Sequence, residues 1–162
     1  MDSRASNYFN ERMERLEVGA PELGVLAHML RKVEFFAPLT VGQLEQVLPH
    51  VRIHSFSSGE KIFRQGDPGD AFYIVYKGRV EVRLKRLLFL SKTVATLNEG
   101  DFFGETALVS KEPRNATIVA SEPTLLFALI SDDFQFVLRE NPAAAQEMQR
   151  IAVRRKFDSA HS

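Results

Sequence analysis

Residues 66–84 read GDPGDAFYIVYKGRVEVRL, from Gly66 to Leu84. Phe72, Ile74 and Tyr76 alternate with other residues before the Lys77-Gly78 break, and Val80, Val82 and Leu84 alternate after it. A period of two puts successive side chains on opposite faces of a strand, so the stretch predicts two strands, each with one face buried, joined by a turn. The same pattern extends outward. Ile53 and Phe56 open a region punctuated by turn signals at Ser57-Ser58-Gly59, Gln65 to Asp70, and Asn98 to Asp101. Further strands are predicted over Thr117 to Val119 and Leu125 to Ile130. Short, evenly spaced strands of this kind build a barrel, a sandwich or a jelly roll.

Helical periods flank this region. Tyr8, Phe9, Met13 and Leu16 recur at helical spacing until Gly19-Ala20-Pro21 interrupts them. Leu23, Ala27 and Leu30 mark a second helix, which the stretch Phe35 to Leu39 ends through Pro38. Thr40 with Gln43 three residues on is the capping-box pattern of a third, short helix carrying Leu44, Val47 and Leu48. After the strands, Ser131 is expected to cap a helix bearing Phe134, Val137 and Leu138. Asn141-Pro142 restarts a last helix with Ala144, Met148, Ile151 and Ala152 on one stripe. The fold class is therefore α+β: an antiparallel, jelly-roll-like β-roll with flanking N-terminal and C-terminal helices.

Bulk chemistry excludes several functions. Lys plus Arg and Asp plus Glu both number 21 among the 162 residues, and this zero net charge argues against a general polyanion binder. Absent cysteine removes disulfides and thiolate metal sites. The four histidines give no ligand set: His50 and His54 are four apart, but a strand start intervenes at Val51 to Ile53. No apolar run is long enough to span a bilayer, and the first residues lack a signal-peptide core, so the expected location is cytoplasmic.

One stretch carries chemistry: FFGETALVSKEPRNATI, Phe102 to Ile118. It sets Glu105 and Arg114 among small and apolar residues. They are either a structural ion pair or parts of a ligand seat. Gly104 permits positive φ and close backbone approach. A helical turn over Glu105 to Val109 would direct free amides at an anion, with Ala107 small enough to admit it. Arg114, stiffened by Pro113, can grip a phosphate through paired hydrogen bonds. Glu105 would repel that phosphate but can accept a hydroxyl hydrogen bond, as from a ribose. A cyclic phosphate on a ribose holds both groups in a fixed relation, which suits two fixed side chains.

The run Phe103-Gly104-Glu105-Thr106-Ala107-Leu108, followed by Pro113-Arg114-Asn115-Ala116-Thr117, resembles the phosphate-binding cassette of cyclic nucleotide-binding domains. These are found in the regulatory subunit of cyclic-AMP-dependent protein kinase, the bacterial catabolite activator and cyclic-nucleotide-gated channels. Gly66 to Tyr73, with Gly78 after it, is similar to a second family motif at the expected distance upstream. The resemblance covers roughly Phe35 to the final helix. It implies a helical segment over 1–34, a cyclic nucleotide-binding domain with a C-terminal lid helix over 35–157, and a tail over 158–162.

The resemblance also implies roles. Arg114 would hold the cyclic phosphate and Glu105 the ribose 2′-hydroxyl, with Gly104, Thr106 and Ala107 around the sugar-phosphate and Asn115 and Ala116 beside it. Gly66, Gly69 and Gly78 would be turn residues, and Phe102 and Phe103 core. Relatives that prefer cyclic GMP often carry Thr after the Arg, and cyclic AMP binders Ala or Ser. Asn115 offers donor and acceptor and fits neither habit. Cyclic AMP is favoured over cyclic GMP on its prevalence among bacterial-looking relatives.

No nucleophile elbow, zincin motif or Walker loop is visible. The expectation is binding without turnover: a ligand-driven conformational sensor with no cofactor. Ile151, Val153, Arg154 and Phe157 are the candidates to cap the base. A channel domain would follow a membrane segment, and an activator would carry a further DNA-binding motif. No membrane segment is visible, and the sequence ends about where a DNA-binding motif would begin, so the expectation is either a stand-alone sensor, which the Met1 start favours, or an excised piece of a larger protein, acting on an effector protein, with a homodimer through the terminal helices as one arrangement. Two other classes stay open: a cupin-type β-roll metalloenzyme, and a structural module whose cassette has lost its ligand.

Overall fold

The computed structural model describes residues 20–33, 36–86, 90–105 and 112–161. Among these residues, two helices, α1 (Ala20–Lys32) and α2 (Val41–Val47), precede the strands, and a 3-10 turn at Leu48–His50 follows α2. The strands are β1 (Arg52–Phe56), β2 (Lys61–Phe63), β3 (Ala71–Lys77), β4 (Val80–Arg86), β5 (Leu90–Leu97), β6 (Phe102–Phe103), β7 (Thr117–Ala120) and β8 (Thr124–Ile130). Two helices close the chain: α3 (Ser131–Glu140) and α4 (Pro142–His161). The predicted first helix, with Tyr8, Phe9, Met13 and Leu16, lies outside the described residues.

The strands form two antiparallel four-stranded sheets, ordered β1-β8-β3-β6 and β2-β7-β4-β5. This is the expected β-roll with helices at both ends. The alternation in β3 has a different cause from the one expected, because the strand is buried on both faces. Ala71, Tyr73 and Val75 point between the sheets, where they meet Val80, Phe103, Ile118, Leu126 and Ala128. Phe72 and Ile74 point the other way and pack with Phe127 and Leu129 of β8 against the helices. Leu26, Leu30, Leu44, Val47, Phe134, Val137, Met148 and Ile151 supply the helical side of that second layer. Each fully buried Leu or Phe contributes about 1.5–3 kcal/mol, so the helices are structural parts of the roll.

Local chemistry explains the joints. Gly78 has φ +99° and starts the β3–β4 turn. A Cβ there would lie 2.5 Å from Oγ1 of Thr124 and 2.6 Å from the Pro123 carbonyl oxygen, so only Gly fits. The Thr40 hydroxyl accepts from the Gln43 N–H at 3.3 Å, and the Gln43 side chain accepts from the Thr40 N–H at 2.8 Å, which is the predicted capping box. The same Gln43 donates through Nε2 to Oδ1 of Asn141. Asn141 ends α3, donating through Nδ2 to the Val137 carbonyl at 2.8 Å, while its own carbonyl accepts from Ala145 in α4 at 3.1 Å. Ser131 is not the cap that the sequence suggested. It is the first helical residue, after Ile130, and its N–H donates to the Asp70 carbonyl at 2.8 Å.

Candidate functional site

Arg114 lies just before β7, and its backbone is clamped from both sides. Its N–H donates to the Asp67 carbonyl, and its carbonyl accepts from the Gly66 N–H, both at 2.8 Å. The Gly66–Asp67 turn is itself held by the Asp67 carboxylate, which accepts from the Arg64 N–H at 2.9 Å. The second motif and the cassette are therefore one unit, with the turn fixing the base of the arginine.

The Arg114 side chain runs inward and is only 2 % exposed. Nη2 donates to the Ala71 carbonyl at 2.7 Å, and Nη1 to the Gly104 carbonyl at 3.3 Å. Asp70 places a carboxylate oxygen 3.7 Å from Nη2 but is itself largely exposed. The guanidinium carbon lies 4.0 Å from the centre of the Phe63 ring. Nε is buried and has no hydrogen-bond partner among the described residues. Burial pulls the Arg114 pKa down, and the neighbouring Tyr73, Asp70, Glu105 and Asp67 push it back up. Arginine keeps its charge through such a shift. Among the described residues, the site is thus a buried cation held mainly by neutral carbonyls, with Nε unspent as a donor.

Gly104 forms the opposite wall. Its φ of +81° is a left-handed conformation, and a Cβ there would lie 2.8 Å from Nη1 of Arg114. Tyr73 lies on the inner face of β3, with its ring stacked on Phe103 at 5.2 Å. Burial raises its hydroxyl pKa well above the ordinary tyrosine value.

The structure brings Gly104, Glu105 and Arg114 into one neighbourhood, with Glu105 half-buried in a turn just after β6. Asn115 is exposed, and Ala116, in the bend before β7, is buried. Thr106, Ala107 and the predicted helical turn through Val109 lie outside the described residues. Phe103 is core as expected, and Phe102 is half-buried against Phe72. Sequence reasoning missed four residues around the guanidinium: Phe63, Asp70, Ala71 and Tyr73. Asp70, Ala71 and Tyr73 sit in the quoted upstream motif, and that adjacency was the available signal. Among the described residues, no group of three or more His, Asp or Glu side chains is placed to hold a metal. No helix among them is long and apolar enough to cross a membrane.

Known proteins resemble this chain in sequence and in fold. The chain is 38% identical over 109 residues to the cGMP-dependent protein kinase of Eimeria tenella, covering 67% of this chain and 10% of the kinase. It is 32% identical over 120 residues to the Cyclic AMP receptor protein of Thermus thermophilus, covering 74% of this chain and 56% of that protein. The chain thus spans a small part of the kinase and little more than half of the receptor. The solved structure described as cAMP bound PfPKA-R superposes with a TM-score of 0.71 at 25% identity, over 74% of this chain and 42% of that one. The profile of one family, the cyclic nucleotide-binding domain, matches residues 53–141, a span that takes in both motifs, the clamped turn and the buried arginine. With more than half its length matched, this chain belongs to the cyclic nucleotide-binding domain family.

Proposed function

We propose that the chain binds a cyclic nucleotide, cyclic AMP ahead of cyclic GMP, and works as a ligand-driven sensor without turnover. One observation carries this reading: Arg114 is a buried cation whose Nε has no hydrogen-bond partner among the described residues, beside a positive-φ glycine. Such a cation is expensive to bury unless an anion completes it. A cyclic phosphate supplies one charge and several acceptors in a compact shape. Glu105, on the same wall, takes the ribose 2′-hydroxyl, and Gly104, Thr106, Ala107, Asn115 and Ala116 line the sugar-phosphate. The binding unit is 35–157.

The switch acts through α4. Ile151 is packed into the core and holds the helix on the roll, while Val153 and Arg154 lie exposed farther along it, as candidates to meet the base when the helix closes. Ligand shifts this equilibrium only by its differential affinity for the closed state. The signal passes to an effector protein in the cytoplasm.

Calorimetric titration with cyclic AMP, cyclic GMP and 2′-deoxy cyclic AMP tests the proposal. Saturable binding of the first two, weakened for the deoxy ligand, is expected. Absence of heat and of displacement with both natural ligands overturns it. Tighter binding of cyclic GMP reverses the base preference alone. Glu105→Ala is expected to weaken cyclic AMP and leave the deoxy ligand unchanged.

A further inference from the structure

We propose that Phe63 is a positioning residue for Arg114: its ring sets the plane of the guanidinium and so aims Nε at the ligand. This rests on the reading of Arg114 as the phosphate-holding group. The two carbonyl bonds, from Nη2 to Ala71 and Nη1 to Gly104, tie the far edge of the guanidinium. They leave its tilt about that edge undetermined. The Phe63 ring removes this freedom, because the guanidinium carbon lies only 4.0 Å from the ring centre. A cation over an aromatic face is attracted by the ring quadrupole, and the attraction grows when water is excluded, as it is around this buried side chain. Lysine has no plane to stack and would not be oriented in this way.

The ring is itself braced. Phe63 packs on Phe103 at 5.8 Å and on Tyr73 at 6.1 Å, and those two rings stack on each other. Its direction comes from the backbone. Between Lys61 and Phe63 the pairing with β7 is irregular: Lys61 lies opposite Val119 and Phe63 opposite Ile118, so two steps on one strand match one on the other. A bulge re-aims a side chain, and here it delivers Phe63 to the cassette. The aromatic trio thus forms a floor, fixed by both sheets, on which the arginine lies.

A structural role alone would also make Phe63 sensitive to mutation, so the test reads the arginine directly. In the ligand-free parent, the Nε–H resonance of Arg114, assigned by its disappearance in Arg114→Lys, is expected upfield of ordinary arginines and in through-space contact with the Phe63 ring protons. Phe63→Leu is expected to abolish that displacement and to weaken cyclic AMP binding about tenfold or more, while Phe63→Tyr retains both. In the Arg114→Ala background, Phe63→Leu should change affinity less than twofold. An undisplaced Nε–H in the parent overturns the proposal, and so does a folded Phe63→Leu protein that binds within twofold of the parent. If Phe63→Leu does not fold, the parent resonance still decides. If the parent binds no cyclic nucleotide, the functional reading falls, whereas the resonance still reports the stack.

Discussion

Gly104 and Arg114 exclude any other residue from the glycine's place. Nη1 of Arg114 donates to the Gly104 carbonyl at 3.3 Å, and a Cβ on Gly104 would lie 2.8 Å from that same nitrogen. A methyl group would also meet the Ala71 carbonyl oxygen at 3.0 Å, the other acceptor of the guanidinium. Gly104→Ala therefore adds left-handed strain of about 1–2 kcal/mol and pushes the arginine from its seat. The expected outcome is a lower urea midpoint and cyclic AMP affinity reduced by at least about tenfold, which is about 1.4 kcal/mol. Unchanged calorimetric affinity would show that the arginine does not need this wall.

Arg114→Ala is expected to weaken cyclic nucleotide binding by more than about 2 kcal/mol, because a charge-assisted hydrogen bond is worth about 1.5–3 kcal/mol and the phosphate loses its cation. Arg114→Lys should not restore it, since an ammonium cannot span two carbonyls and an aromatic face. Calorimetry on both variants checks this, with an amide spectrum to establish the fold. Parent-like affinity in Arg114→Ala would remove Arg114 from the site.

Glycine substitutions elsewhere separate strain from collision. Gly78→Ala forces a Cβ to 2.5 Å from Thr124 Oγ1 and 2.6 Å from a backbone oxygen, at φ +99°. Strain and overpacking together should destabilise the fold by about 2–4 kcal/mol. Gly59 has φ +85° but open space around the added Cβ, so Gly59→Ala should lose only about 1–2 kcal/mol. Urea unfolding of the two variants tests the order, and equal losses would contradict it.

His54 sets an acid-side dependence. It is buried in β1, near the rings of Phe56 and Tyr73, and burial holds its pKa below the ordinary value. Between the folded and unfolded pKa values the unfolded chain binds more protons, so stability rises with pH there. The contribution is complete above the unfolded value near 6.5 and is lost as pH falls through the folded one. Urea midpoints measured across that window should decline toward acid in the parent and decline less in His54→Phe. Identical slopes would refute this assignment.

Much of the fold was legible because the sequence repeats a simple rule. Phe72, Ile74, Val80 and Val82 announced β3 and β4, and Thr40 with Gln43 announced α2. β5 carried no such signal: from Leu90 to Thr96 it is exposed on both sides, so no apolar face marks it. The two-residue β6 is too short for any period. Arg114 and Gly104 stood out through residue type. Their companions did not, because Arg114 meets Ala71 across 43 residues of chain and Phe63 through a bulge. Such meetings are set by sheet order, which local patterns do not encode. Ser131 misled because the chain turns helical one residue earlier than the pattern suggested: Ile130, in extended backbone, holds the cap position and Ser131 is already in the first turn.

Asn141 has a mechanical consequence. One amide side chain closes α3 and touches the Gln43 that caps α2, while the same residue's carbonyl begins α4. It works like a universal joint: α4 cannot swivel about its first turn without loading the Thr40–Gln43 cap. The start of α4 is therefore tied to α2 through this amide as well as through the apolar packing of Ala144, Met148 and Ile151.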